Sequence, residues 1–380
     1  MDDRPGGPPL SGPPNTTPPT PAPPTPPVTP GPAAAGGGRR HRVLLRFVLR
    51  RLLAGVLLCV GVTLVSFLLT NAVPGDPVTA NLGQRAVEDP AAVAAFREAH
   101  GLDKPLPQQY VIYLGNLLTG DFGESQQTHR PVATDLGDKV PATLELALTA
   151  IVITLVVGVG LGVVAALARD RWPDQVLRVV SLFGVSMPTF WLALVGYYFI
   201  SFQLDLLPAG GRLPPGTRPP TAITGMYTLD ALLTGNWTAF GAAFSRLLLP
   251  ALVLAAFTVG VMLRFTRAAV LEVLGNDYVR AARAKGLPES TVVRRHVLRP
   301  ALVSVITVAG VAFANLLSGT VLVEKIFSWR GVGEYAFTSA LALDLPAIMG
   351  VSLVVAVVYV LVNLVVDVTY GLVDPRIRQS

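Results

Sequence analysis

The stretch EVLGNDYVRAARAKGLPESTVVRRHVLR, residues 272–299, lies between two apolar runs that are each long enough to cross a bilayer. With Arg264 and Arg267 just before it, it is the most basic part of the chain that we expect to be ordered. Connections rich in arginine and lysine stay on the cytoplasmic side of a membrane. The sequence therefore predicts that this stretch, called the elbow below, lies in the cytoplasm.

The first half of the elbow has the pattern of an amphipathic helix. At ~100° per residue, one side carries apolar residues and the other carries polar and basic ones. The apolar side would hold Leu271, Leu274, Tyr278, Ala281 and Ala282, and the polar side would hold Asn276, Arg280 and Arg283.

The second half begins with a predicted tight turn. Gly286 tolerates the positive φ that often ends a helix, and Lys285 suits the negative end of the helix dipole. Pro288 fits the first position of a second helix, with Glu289 in its first turn. The elbow is therefore predicted to be helix, turn, helix. It could rest on anionic lipid, but the small pair Ala281 and Ala282 favours docking of a protein partner.

Composition identifies an integral membrane protein. Of 380 residues, 51% are hydrophobic and only 14% are charged, and the mean hydropathy is +0.54. The net charge of +6 is assigned to membrane topology, and no nucleic-acid partner is expected. The sole cysteine, Cys59, lies within an apolar run, which excludes a disulfide framework and a thiolate metal cluster.

The chain divides into five predicted regions. These are a disordered Pro/Gly-rich cytoplasmic tail (1–42), a first transmembrane helix (43–73), an external segment (74–140), a five-helix core (141–371) that contains a loop at 268–299, and a cytoplasmic tail (372–380). The external segment is expected to hold short helices at 91–100 and 107–118.

The core should contribute spans two to six. They are placed at about 142–168, 182–202, 247–263, 301–323 and 346–370. Gly158 and Gly162 allow close packing of span two, and Pro188 is expected to kink span three. Six spans put both termini in the cytoplasm. The fold class is thus an all-α membrane protein with six transmembrane helices.

Catalytic chemistry is missing from the sequence. It contains no GxxxxGKS or GxxxxGKT phosphate loop, no HExxH and no GxSxG, and its four histidines are scattered. The predicted spans are nearly free of charge, with Asn315, Asn363 and Asp367 as exceptions for which we favour a structural role. No catalytic, cofactor-binding or metal-binding residue is predicted, so a partner should supply the energy.

The elbow residues Asp277-Tyr-Val-Arg-Ala-Ala-Arg-Ala-Lys-Gly-Leu287 resemble the EAA loop of binding-protein-dependent ABC importer permeases, in the form used by the dipeptide/oligopeptide branch. The resemblance extends over about residues 42–378. Further matching segments, in order, are VPGDP (73–77), LDKPLP (102–107), GDFG (120–123), PATLE (141–145), PTFW (188–191), LPAGG (207–211), VD (366–367) and DPR (374–376).

This resemblance implies the type I importer permease fold, with a small external domain between spans one and two. It also implies partners in the bacterial inner membrane: a second homologous permease, two ATP-binding subunits, an external solute-binding protein and a peptide substrate, besides membrane lipid. In that family the elbow is the coupling helix. The implied ATPase contacts are Asp277, Tyr278, Arg280, Ala281, Ala282, Arg283, Lys285, Gly286 and Leu287.

Three alternatives remain open from the sequence. A permease for nickel or another small solute would look alike, because the external binding protein chooses the cargo in such importers. An autonomous channel or ion-coupled carrier would act without ATPase partners. A membrane scaffold would recruit a cytosolic protein through the elbow without transport.

Overall fold

The computed structural model describes residues 37–72, 89–100, 103–208 and 210–373. The predicted tail at 372–380 falls almost wholly outside these ranges, as does the tail at 1–42 up to residue 36. Regular structure in the described ranges is helical, apart from one isolated bridge between Glu124 and Pro131.

Fourteen α-helices lie in the described ranges. They are α1 (Gly37–Ala72), α2 (Pro90–His100), α3 (Leu106–Leu118), α4 (Val132–Ile153), α5 (Gly160–Leu167), α6 (Trp172–Ser186), α7 (Thr189–Gly196), α8 (Tyr227–Leu233), α9 (Trp237–Leu274), α10 (Asp277–Ala284), α11 (Glu289–Thr291), α12 (Arg299–Ile326), α13 (Val332–Ala342) and α14 (Leu345–Val373). Three π-helical segments continue them: Thr154–Val159 joins α4 to α5, Tyr197–Gln203 extends α7, and Val292–Leu298 joins α11 to α12.

Five continuous helical stretches are long and apolar enough to cross a membrane, and the number is six when the bent pair α6 and α7 is counted as one span. The prediction of an all-α fold with six spans is therefore confirmed.

Two region boundaries differ from the prediction. The helix α1 already begins at Gly37, and α4 begins at Val132. The second difference arises because Pro141, which marked the expected boundary, lies inside α4. A proline removes only one backbone hydrogen bond there, and the surrounding packing keeps the helix intact.

The predicted third span is a broken helix rather than a kinked one. The axes of α6 and α7 differ in direction by 101°. Met187 and Pro188 both have extended backbone angles, as expected for a proline and the residue before it. The helix therefore ends at Ser186 and a new one starts at Thr189.

Span two packs closely against α9 through its two glycines, as predicted. A Cβ atom added at Gly162 would lie 2.6 Å from Cβ of Thr266 and 2.8 Å from the carbonyl oxygen of Leu263. One at Gly158 would lie 2.8 Å from Cβ of Met262. The two helix backbones can approach this closely only because the side chains are missing.

We expect Gly162→Ala to lower the free energy of unfolding by about 1–3 kcal/mol, because the methyl group overpacks the contact with α9. Gly160→Ala, two residues away on the same helix, is the matched control, since nothing lies within 4 Å of its Cβ position. Thermal unfolding in mild detergent measures both variants. Equal midpoints for the two would show that the contact is not tight.

Buried carboxylates hold the loops that close the end of the bundle opposite the elbow. Glu145 of α4 accepts hydrogen bonds of 2.7 Å from the backbone N–H and the hydroxyl of Thr228 and forms a 2.7 Å ion pair with Arg212. Asp230 accepts backbone N–H groups from residues 223–225. Burial alone would raise the pKa of Asp230, but these donors outweigh it and the pKa is lowered.

A second clamp joins α4 to the loop before α13. The hydroxyl of Thr143 donates a 2.7 Å hydrogen bond to the fully buried Glu324, which also accepts the backbone N–H of Glu334 at 2.9 Å. A Cβ atom at Gly331 would collide with the side-chain oxygen of Thr143. Glycine is therefore required where this loop crosses the clamp.

The predicted short helices after the first span form as α2 and α3. The hydroxyl of Tyr110 in α3 donates a 3.0 Å hydrogen bond to the carbonyl oxygen of Val60 in α1. The rings of Tyr110 and Tyr113 pack against Phe67 of α1. The segment is thus attached to the side of the first span.

Candidate functional site

The elbow folds as helix, turn, helix, but its first helix presents a different face from the predicted one. The helix α9 ends at Leu274 and α10 starts at Asp277. The break at Gly275 and Asn276 therefore rotates the side chains of α10 about the helix axis relative to a continuous helix. In α10 the buried residues are Val279 and Ala282, while Tyr278 and Ala281 are exposed. The prediction that Tyr278 and Ala281 share the apolar face with Leu271 was therefore wrong.

The turn at Gly286 is confirmed. Gly286 has φ +75°. Its backbone N–H donates to the carbonyl of Arg283 at 2.9 Å, and that of Leu287 donates to the carbonyl of Ala282 at 3.4 Å. These two bonds form the Schellman arrangement that ends a helix with a left-handed residue.

The second half of the elbow starts one residue later than predicted, with Pro288 as the cap before Glu289. The guanidinium of Arg283 donates two hydrogen bonds to Glu289, at 2.6 and 3.1 Å, across the turn. This hydrogen bonding raises the pKa of Arg283. Both side chains are about half exposed, so the pair fixes the shape of the elbow and adds little stability.

A small apolar cluster fastens the elbow to the ends of three spans. Val279 and Ala282 of α10 and Val292 and Val297 of the second half belong to it. So do single residues from the spans, namely Ala166 of α5, Val270 of α9 and Ala301 of α12. Displacing α10 therefore displaces the ends of α5, α9 and α12 together, because buried side chains are close-packed.

The exposed side of α10 carries a mixed charged and apolar surface. Asp277 and Arg280 are 95% and 79% exposed, and Tyr278 and Leu287 are 46% and 38% exposed. Of the nine predicted contact residues, eight lie at this surface or in its turn. The exception is Ala282, which is buried in the apolar cluster and supports α10 from beneath.

A buried ion pair beside the elbow could not be predicted from the sequence. Asp174 of α6 is fully buried and accepts two hydrogen bonds from Arg267 of α9, at 2.7 and 2.8 Å. It also accepts the backbone N–H of Asp170 at 3.1 Å. Arg267 precedes Val270, a member of the apolar cluster, by less than one turn. The pair therefore holds α6 against the part of α9 that contacts the elbow.

No metal centre occurs in the described parts of the chain, where no three His, Cys, Asp or Glu side chains are grouped to hold an ion. The polar groups of the elbow are exposed guanidinium, ammonium, carboxylate and phenol side chains. This arrangement suits contact with another protein.

Two family models match the chain. Residues 158–379 match the model described as "Binding-protein-dependent transport system inner membrane component", and residues 44–147 match the model for the N-terminal part of such membrane components. Together these ranges cover most of the chain.

Curated relatives are similar over almost their whole length. The "Probable D,D-dipeptide transport system permease protein" of Escherichia coli is 45% identical over 325 residues, which is 86% of this chain and 95% of the relative. The "Di/tripeptide transport system permease protein" of Pseudomonas aeruginosa is 44% identical, covering 89% of this chain and all of the relative. A solved structure of the MetNI methionine ABC transporter aligns with 61% of this chain and 93% of its own, at 15% identity and a TM-score of 0.46.

Proposed function

The chain belongs to the family of binding-protein-dependent transport system inner membrane components, and from this premise we propose that it carries dipeptides or short oligopeptides across the membrane as half of an importer pore. It is a multi-pass permease subunit of an ABC importer, and ATP is hydrolysed on separate subunits.

The peptide cargo is supported by the relatives, which are named as permeases for D,D-dipeptides, dipeptides and di- or tripeptides. Their similarity covers 86% to 89% of this chain. Nickel or another small solute is the alternative, and none of these three names favours it.

The proposed partner of the elbow is an ATP-binding subunit, and the supporting observation is the exposed surface of α10. Tyr278 and Leu287 expose large apolar side chains between charged residues, on an element that is fastened to three spans. Exposed apolar groups rimmed by charge are typical of protein interfaces. The proposed contact residues are Asp277, Tyr278, Arg280, Ala281, Arg283, Lys285, Gly286 and Leu287.

The apolar cluster beneath α10 supplies a route for coupling. A short helix seated in a groove of a partner moves when that groove moves. Because the cluster joins α10 to α5, α9 and α12, closure of two ATPase subunits would shift three spans together. Transport is coupled to ATP hydrolysis if the permeases have two packing arrangements, inward-open and outward-open, that differ in affinity for the ATPase subunits.

The proposed assembly has two permeases, two ATP-binding subunits and an external solute-binding protein, in a bacterial inner membrane. The arginine content of the elbow supports a cytoplasmic position for it and for both termini. The loops clamped by Glu145 and Glu324 then lie outside, where the binding protein arrives. No cofactor and no nucleic acid take part in this proposal.

Mass spectrometry of proteins that co-purify in mild detergent tests this function. We expect ATP-binding subunits with the wild-type chain, and their loss when residues 277–287 are deleted. The double variant Tyr278→Ala with Leu287→Ala should also lose most of them. Leu118→Ala, which is 89% exposed on α3, is the matched control and should retain them.

Two results would contradict the proposal. ATPase subunits that co-purify equally with the elbow deletion would show that the elbow is not the contact. A folded wild-type preparation that recovers none, yet transports solute, would favour an autonomous channel or carrier.

A further inference from the structure

Two grooves lie on different faces of α12, and their linings differ in chemistry. One, of about 770 Å³, lies between α4, α12 and α14 and is lined only by apolar residues and glycine. The other, of about 450 Å³, lies between α9 and α12. Its lining includes Thr189, Thr258, Thr307 and Asn315, and it is called the polar groove below.

Asn315 lies near the middle of α12, ~24 Å from Arg299 at one end and ~16 Å from Ile326 at the other. Its side chain is exposed, and its amide has no hydrogen-bond partner among the described residues. An unpaired amide facing hydrocarbon costs several kcal/mol. The polar groove therefore faces water, a polar ligand or a polar surface of another subunit rather than lipid.

The asparagine of α14 shows how such a residue is accommodated without a ligand. Asn363 donates a 2.9 Å hydrogen bond to the carbonyl of Tyr359, one turn earlier in its own helix. Asn363 thus has a structural partner in its own helix, whereas Asn315 has no such partner among the described residues. The side chain of Asp367, the third predicted exception, is outside the described residues.

Two of the three hydroxyls of the groove resemble Asn315 in lacking a partner, and the third has only a long hydrogen bond. Those of Thr189 and Thr258 have no hydrogen-bond partner within the described ranges, and that of Thr307 is 3.5 Å from the carbonyl of Val303. No ionisable side chain is among the lining residues. The groove therefore offers neutral donors and acceptors along an otherwise apolar wall that includes Phe257 and Phe265.

We propose that the polar groove is this subunit's share of the solute path and that Asn315 hydrogen-bonds a peptide unit of the cargo in transit. The proposal rests on the proposed function. A carboxamide carries both donors and an acceptor, and so does the peptide unit, so the two pair face to face. Neutral groups bind weakly enough to release the peptide again, as conduction through a pore requires.

Thiol labelling tests whether water reaches the groove. In a Cys59→Ala background, Asn315→Cys and Ala309→Cys place single thiols well inside α12, facing the polar and the apolar groove. In the assembled importer, a small water-soluble thiol reagent should modify position 315 and leave position 309 unmodified. A saturating dipeptide, delivered by the binding protein with ATP, should slow modification at position 315 several-fold.

Uptake kinetics test the hydrogen bond. In proteoliposomes, Asn315→Leu should lower the uptake of a dipeptide about tenfold, the effect of one lost hydrogen-bonded contact. Asn315→Gln, which keeps the carboxamide, should recover most of it. Leu302→Ala, on the same helix and 40% exposed, should transport like the wild type. Co-purification of the ATPase must be unchanged in all three.

These outcomes separate this proposal from the function on which it rests. If the wild-type complex takes up no peptide, the proposed function fails. If it transports peptide but position 315 stays unmodified, the groove is covered by another subunit or by lipid and the proposal is overturned. Modification without protection by peptide, or normal uptake by Asn315→Leu, overturns the contact with Asn315.

Discussion

Replacing Asp174 by alanine is expected to lower the free energy of unfolding by about 3–5 kcal/mol, because it leaves the mostly buried charge of Arg267 without its hydrogen-bonded partner. The Asp174 carboxylate is fully buried, and the side chain of Arg267 is 20% exposed. Burial increases the loss of stability, because water cannot readily replace the missing hydrogen-bond partner. The ends of α6 and α9 should separate beside the elbow, and uptake should fall with stability.

Thermal unfolding of the purified chain in mild detergent measures this effect. The matched control is Glu272→Ala, which removes an exposed acid of α9, so its effect on the free energy of unfolding should stay within about 0.5 kcal/mol. The double variant Asp174→Ala with Arg267→Met should recover much of the lost stability, because it removes the unpaired charge as well. No recovery in the double variant would show that the carboxylate acts through packing rather than through the charge.

Gly286→Val is expected to abolish coupling between ATP hydrolysis and uptake while leaving most of the bundle folded. At φ +75° a residue with a Cβ pays about 1–2 kcal/mol, and a β-branched one pays more. No atom lies within 4 Å of the Cβ position, so the cost comes from backbone conformation and not from a clash. The bonds from Gly286 and Leu287 that end α10 should break, and the contact surface of Tyr278 and Leu287 should lose its geometry.

Uptake and peptide-stimulated ATPase activity of the reconstituted importer measure this loss, for which we expect a factor of at least ten. Gly286→Asn is the matched control, because asparagine tolerates the left-handed region and the site has room for its side chain. It should keep most of the coupling. Wild-type uptake by Gly286→Val would show that the elbow does not need this turn.

The sequence by itself determined the number of spans, the helical fold and the turn at Gly286. Each depends on a short stretch of chain: an apolar run long enough to cross a bilayer, or a glycine whose φ is unrestricted. The close contact at Gly158 and Gly162 was predictable for the same reason, since small residues on one helix face permit it whatever the partner is. These properties depend on the local sequence and not on which helices pack together.

The tertiary structure alone decided which faces and charges meet. The buried face of α10 differs from the predicted one because Gly275 and Asn276 break the helix. A prediction that assumes a fixed rotation of ~100° per residue cannot account for such a break. Asp174 and Arg267 are 93 residues apart, and only the packing of α6 on α9 brings them together. Asn315 and Asn363 look alike in sequence, yet one is paired within its helix and the other faces a groove. Local segments fix their own conformation, whereas burial and pairing depend on neighbours that the spacing of residues does not specify.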